Sequence, residues 1–328
     1  MITKFIDRHH SNMRLDRYLR QSFSTESLSA LFAVIRKKKV RVNGVIAKAP
    51  LILREGDLVA IYENLKEEDS TPAPKSGWGT GATFCDPVFF KNHFQIALET
   101  EDFVIVDKPS GIDSQPGSGT RPKETLVDML WQWGLNEKHD FKPTLVHRLD
   151  RETSGLLMAA IHGDVLRGLT KLIREHRINK HYFALVQGHL EKVKGTITTK
   201  LERSDSPQGA KMKTSDSKGK ESITHYSVYR RFESMDLVKI KLETGRMHQI
   251  RAHFASINHP LAGDGRYGDY AWNRELRKEC GLNRLFLHSF KLEFEWNNQK
   301  YNVESKLPKE LDQIVRTLSK TTLRIEDF

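Results

Sequence analysis

Residues 146–160 read VHRLDRETSGLLMAA. Asp150 stands between Arg148 and Arg151, and an uninterrupted apolar run, Leu156 to Ala160, follows almost at once. A short run without polar alternation reads as a strand buried on both faces. The loop feeding such a strand lies near the core, where a carboxylate tends to take up a proton unless a cation holds it ionised. A partly buried Asp with Arg beside it is what an enzyme needs to keep an anionic group ready at neutral pH. The same Arg-x-Asp-Arg pattern also occurs in surface ion pairs without chemical consequence, and these residues alone do not separate the two readings.

The whole chain has 328 residues, which suggests about two domains. It is 38% hydrophobic and 29% charged, with both signs interspersed, a composition that can pack a core and argues against disorder. The net charge is +11. Residues 1–62 hold 12 Lys and Arg against 5 Asp and Glu, so most of the excess is concentrated in one small region. A patch of this kind points to a polyanion, most simply nucleic acid. The two cysteines, Cys85 and Cys280, form no CxxC pattern, so neither a disulfide framework nor a thiolate zinc site is expected. No apolar run reaches the roughly 18 residues of a membrane span. The start, MITKFIDRHHSN, has no apolar signal region, and a cytoplasmic protein is expected.

Residues 14–62 carry a compact pattern. Leu15, Leu19 and Phe23 mark one helix face, and Leu28, Leu31, Phe32 and Ile35 a second. Arg36, Lys37, Lys38 and Lys39 are expected in the last turn of that second helix, where cations suit the dipole. Asn43-Gly44 within VRVNGVIA is a two-residue hairpin signal. Two short helices, a basic run, VRVNG and a late EGDLV together resemble the S4 RNA-binding domain over residues 14–62. The resemblance implies that the basic edge formed by Arg36, Lys37, Lys38, Lys39 and Arg41 grips structured RNA through its phosphates. Residues 63–92, rich in Pro, Gly, Ser and Thr, read as a linker; its aromatics Trp78, Phe84, Phe89 and Phe90 suggest docking on a neighbouring surface.

Residues 93–328 read as a larger α+β domain around a mixed, mostly antiparallel sheet. Two further stretches stand out in it. TGRMHQIRAHFASINHPLAGDGRYG (244–268) brackets a helix bearing Arg251 and His253 with glycines. His248, His253 and His259 lack metal-site spacing and are expected to be structural or to face RNA. In NKHYFALVQG (179–188), Tyr182 shares a strand face with Ala184 and Val186, which alone suggests a core aromatic.

These stretches, with VDKPSG upstream and RLFLHS downstream, resemble the RluA family of pseudouridine synthases over about residues 93–305. The segment YGDYAWNRELRKECGLNRLFLHS is most similar to the RluC subgroup, which implies large-subunit (23S) ribosomal RNA as partner. The resemblance also implies roles. Asp150 is the catalytic residue, Arg251 pairs with it, and Tyr182 lies against the flipped base. Arg148 fills the space the uridine leaves, Leu287 lines the pocket, and His248 faces RNA. Uridine's N1–C1′ bond must break and C5 must bond C1′, which requires the base to leave its stack. The product is an isomer of the reactant, so no cofactor is expected; nor is a metal, a membrane or a second copy of the chain. Gln115 and Met247 depart from the family pattern, without touching catalytic charge. A transfer-RNA-directed synthase and a catalytically silent RNA-binding assembly factor are the competing readings.

Overall fold

The computed structural model describes residues 2–8, 10–23, 26–63, 95–116, 125–136, 141–204, 211–215 and 217–323. The linker aromatics and Cys85 lie outside the described residues.

The N-terminal part comprises β1 (Ile2–Phe5), α1 (Leu15–Ser22), α2 (Leu28–Arg36), β2 (Val40–Val42), β3 (Val45–Ile46) and β4 (Leu58–Ile61). Its four strands run in the order β1-β4-β2-β3. Leu15, Leu19 and Phe23 pack with Leu31 and Val34 on Val40, Val42, Val59 and Ile61. Asn43 and Gly44 both take positive φ, as the tight hairpin turn demands.

Two details differ from expectation. Phe32 is 46% exposed, because α2 turns Leu31 and Val34 inward instead. The three lysines follow α2 rather than ending it. Lys38 adopts φ +58°, the Lys39 amide donates to the Val34 carbonyl and the Lys38 amide to that of Ile35. That is a Schellman stop, with Lys where glycine is usual. It leaves Lys37, Lys38 and Lys39 exposed beside Arg36 and Arg41. Arg8 reaches Asp102 and Asp164, and Arg167 donates to the Ser11 carbonyl, so the two parts touch.

The larger part runs β5 (Gln95–Glu99), β6 (Phe103–Lys108), α3 (Leu126–Asn136), β7 (Thr144–Leu145), β8 (Ser154–Ala160), α4 (Gly163–Arg174), β9 (Asn179–Gln187), β10 (Lys194–Ser204), β11 (Lys211–Ser215), β12 (Lys220–Arg231), β13 (Met235–Leu242), α5 (Gln249–Ser256), α6 (Tyr270–Cys280), β14 (Leu287–Trp296), β15 (Gln299–Glu304) and α7 (Lys309–Leu323). Eleven strands form one sheet, ordered β11-β10-β12-β13-β9-β14-β8-β6-β5, with β15 on β14 and β7 on β8. Among the described strands the β14–β8 pair is parallel and the others antiparallel. The sheet is therefore mixed and mostly antiparallel.

The apolar run of β8 is buried on both faces. Leu157 and Ala159 join the cluster under α3 and α5, while Leu156, Met158 and Ala160 pack against α4. Helices α6 and α7 cover Leu185 and Leu237 elsewhere, through little more than Trp272, Leu276, Leu311 and Ile314. Where β8 meets β14, Gly155 has φ +111° and a Cβ on it would lie 2.2 Å from the Ser289 carbonyl oxygen. Only glycine permits that approach. It brings the Ser154 hydroxyl within 3.0 Å of His288 Nδ1.

His288 and His253 are fully buried. Burial pushes both pKa values down to about 4, with the nearby Arg284 charge adding to the shift at His288. An unfolded histidine titrates near 6.5, so between about 6.5 and 4 the unfolded chain binds more protons than the folded one. Stability contributed by these groups is complete above the unfolded value and falls as pH drops, by up to roughly 1.4 kcal/mol per pH unit for each histidine. Urea unfolding at about pH 7 and about pH 5 is expected to show a clear loss of stability at the lower value. Equal midpoints would mean that these histidines are not held neutral.

Candidate active site

Asp150 sits on the turn between β7 and β8, and backbone-directed hydrogen bonds fix that turn. The Lys108 ammonium, fully buried at the end of β6, donates to the carbonyls of Pro109 (2.8 Å), Ile112 (2.8 Å) and Arg151 (3.1 Å). Burial, with the Arg284 charge, pushes Lys108 down to about 7, while Asp150 and Asp113 oppose the shift. Ser114 donates to the Leu149 carbonyl at 2.6 Å and Ser110 to that of Glu152 at 2.8 Å. Asp150 therefore projects from a pinned loop, with its side chain 18% exposed.

Arg251 projects from the first turn of α5. The loop before that helix is held by Gln249, whose Oε1 accepts from the Thr244 hydroxyl (2.8 Å) and the Arg246 amide (3.0 Å). Its Nε2 donates to the Ile223 carbonyl and to Thr224, both at 3.0 Å. The Arg251 guanidinium grips Asp264 with two donors, Nε to Oδ2 at 2.7 Å and Nη2 to Oδ1 at 2.8 Å. Its third nitrogen, Nη1, reaches Asp150 Oδ2 at 3.4 Å, and Nη2 lies 3.6 Å from Glu152. Asp264 is fully buried and also accepts the amides of Arg266 (2.8 Å) and Tyr267 (3.0 Å). Burial opposes charge on both partners, yet the mutual hydrogen bonds and attraction win: Arg251 is raised and Asp264 lowered. Asp264 is placed by Gly263, whose φ is +74° and where a Cβ would lie 1.9 Å from the Arg284 carbonyl oxygen.

His248 caps α5 with φ +51°. Its Nδ1 pairs with the Tyr267 hydroxyl at 3.0 Å, and its Nε2 lies 3.8 Å from Asp150 Oδ2. Burial lowers its pKa while Asp150 opposes the shift. The Tyr267 ring also faces the Arg251 guanidinium, 5.2 Å from centroid to carbon. Tyr182 is 4% exposed, and burial raises its pKa. Its neighbours in register are Ile240 on β13 and Ser289 on β14.

Asp150, Arg148, Tyr182, His248, Arg251 and Leu287 all line one cavity of about 740 Å³, and Gln115 and Met247 line it as well. Arg36, Lys37, Lys38, Lys39 and Arg41 do not; they remain on the N-terminal part. Among the described residues no group of His, Cys, Asp and Glu is arranged to hold a metal. Arg251 does face Asp150, and it has a second, closer partner. Its bidentate hydrogen-bonding partner is Asp264, and Asp150 takes the remaining nitrogen at longer range. Asp264 and Tyr267 lie within residues 244–268, where an Asp between two glycines is the sequence signal. The arrangement offers a carboxylate in a partly dry pocket, faced by a cation whose position is fixed from behind.

The family model described as RNA pseudouridylate synthase matches residues 102–256, and the S4 domain model matches residues 13–59. Ribosomal large subunit pseudouridine synthase C of Haemophilus influenzae is 33% identical, over 95% of this chain and 94% of that protein. The protein of the same name from Vibrio parahaemolyticus is 34% identical, over 93% of this chain and 94% of that one. The chain belongs to the RNA pseudouridine synthase family. The solved structure of human RNA pseudouridylate synthase domain containing 4 shares the fold, with a TM-score of 0.57 at 22% identity over 70% of this chain and 94% of that one. Asp150, Tyr182 and Arg251 all fall inside the synthase match, whereas Asp264 and Tyr267 lie just beyond it.

Replacing Asp264 by Asn strands the buried Arg251 charge. Breaking such a pair typically costs about 3–5 kcal/mol. Asp264→Asn is expected to lower the thermal unfolding midpoint and to slow the synthase together. The double variant Arg251→Met, Asp264→Leu is expected to recover stability without recovering turnover. A double variant as unstable as the single one would show that the pair is not the source of the loss.

Proposed function

We propose that this synthase converts uridines to pseudouridine in large-subunit (23S) ribosomal RNA, without a cofactor. The observation that carries the reading is Asp150, faced by an Arg251 already fixed by Asp264, at the wall of a cavity sized for a nucleoside. Two relatives that align over nearly the whole of both chains are named for the large ribosomal subunit, which supports that RNA over transfer RNA.

A uridine turned out of its stack enters the cavity with its base against Tyr182 and Leu287. Asp150 carries the negative charge on which the exchange of N1–C1′ for C5–C1′ depends, and Arg251 faces that carboxylate at 3.4 Å from a fixed position. As the product forms, C5 loses its proton to solvent and N1 takes one up, so the product remains an isomer of uridine. Arg148, exposed at the cavity mouth, supplies a planar group to fill the gap in the RNA. Residues 1–62, an S4 domain with Arg36, Lys37, Lys38, Lys39 and Arg41 on its surface, contribute phosphate contacts, and the segment from 63 to 92 joins them to the catalytic domain over 93–328. We take the enzyme to act as a monomer, in the cytoplasm with its RNA.

Release of tritium from RNA labelled at uridine C5 is the direct assay. Asp150→Asn keeps the shape and loses the charge, so it is expected to abolish release while folding and RNA binding persist. Near-normal release would reduce Asp150 to a structural residue. Mapping pseudouridines in a deletion strain is expected to show losses in 23S ribosomal RNA; losses confined to transfer RNA would overturn the substrate.

A further inference from the structure

Lys180 stands two residues before Tyr182 on the same face of β9, and it too lines the cavity. Only 7% of it is exposed. Among the described residues no carboxylate pairs with it and no hydrogen bond holds its ammonium. A buried lysine without a partner is unusual, because desolvation of its charge goes uncompensated. Burial accordingly lowers its pKa. The ammonium rests against backbone: a Cβ on Gly245 would lie 3.1 Å from Nζ. His147 is the adjacent polar group, pushed down to about 3 by burial and by the Lys180 charge. Its Nε2 accepts the Met158 amide at 3.3 Å, which leaves a neutral ring with Nδ1–H free to donate.

Asp150 acts electrostatically on Tyr182, His248 and Arg251, whereas burial alone shifts Lys180. Arg174, Arg246 and Glu243, all exposed, line the same cavity, and the Glu243 carboxylate pairs with His225 at 2.9 Å. Lys180 is therefore a desolvated ammonium whose charge no carboxylate of the cavity answers. A neutral uracil carbonyl could be read by an amide or a hydroxyl at far lower desolvation cost. An anion offsets the buried charge.

We propose that Lys180, set against the Gly245 backbone, forms a phosphate subsite that holds one phosphodiester flanking the target uridine. The proposal rests on the reading that the cavity receives a flipped uridine. It makes Lys180 a positioning residue: by fixing the backbone on one side, it sets how far the sugar reaches toward Asp150.

The test compares wild type with Lys180→Met on a stem-loop RNA containing a target uridine. Three RNAs are used: one natural, and two with a neutral methylphosphonate at one or the other linkage flanking that uridine. On natural RNA the variant is expected to bind about 10-fold more weakly. The slope of log affinity against log salt is expected to fall by about 0.7–0.9, one phosphate's worth. One of the two methylphosphonate RNAs is expected to erase the difference between the proteins. The loss is expected to fall mainly on affinity, and the unfolding temperature to stay level or rise as an unpaired buried charge is removed. An unchanged salt slope, or the same affinity gap on both modified RNAs, would overturn the phosphate contact. A lowered unfolding temperature would assign Lys180 a structural role instead. Tritium release by wild type on natural RNA is recorded alongside; its absence would count against the catalytic reading and leave the binding comparison to decide the subsite.

Discussion

The two-pronged bond between Arg251 and Asp264 is the constraint on which the site depends. A guanidinium left 5% exposed must have its charge answered, and a fully buried carboxylate answers it with two hydrogen bonds. With those two donors committed, the direction of Nη1 is no longer free, and it points at Asp150. Asp150 thus faces a cation that cannot swing away, rather than a long side chain searching for a partner. This is preorganisation: the orientation is fixed during folding and not during the reaction.

The sheet supplies the rest. Asp150 leads into β8, Tyr182 lies on β9 and Leu287 opens β14, and these three strands are neighbours in the order β9-β14-β8. Gly155 lets β8 and β14 close, and Gly263 turns Asp264 inward beneath Arg284. Gln249 ties the loop that carries Arg246, Met247 and His248 to β12. Arg251 and His248 are anchored by Asp264 and Tyr267, which do not line the cavity, and this helps a small number of strands hold a carboxylate, a cation and an aromatic ring in fixed relation.

Much of this was legible in the sequence, for local reasons. The unbroken apolar run at 156–160 required a strand buried on both faces, and β8 packs on both. Asn43-Gly44 required a hairpin and takes the two positive φ values it needs. Alternation placed Tyr182 with Ala184 and Val186, and the three share one cluster. What escaped was non-local or too sparse to register. Helices α6 and α7 bury very few side chains along mostly polar surfaces, so neither shows a broad apolar stripe. Strands β1 and β15 are short and alternate between partial burial and exposure. The end of α2 was obscured because Lys38 occupies a position where glycine is the usual signal. The pairing of Arg251 with Asp264 depends on how the chain after α5 folds back, and no periodicity encodes that. Nothing in the sequence sets Lys180 apart from the chain's other cations; its burial does.

The central claim is that geometry, and not merely positive charge, at residue 251 prepares Asp150. Arg251→Lys keeps the charge but has no fork with which to hold Asp264 and Asp150 together. Its single-turnover rate of tritium release, measured at saturating enzyme against wild type, is the most direct test. A fall of about 100-fold or more, with RNA affinity largely kept, is the result this account predicts. A rate within a few-fold of wild type would show that charge alone suffices and that the Asp264 anchor is not what readies the carboxylate.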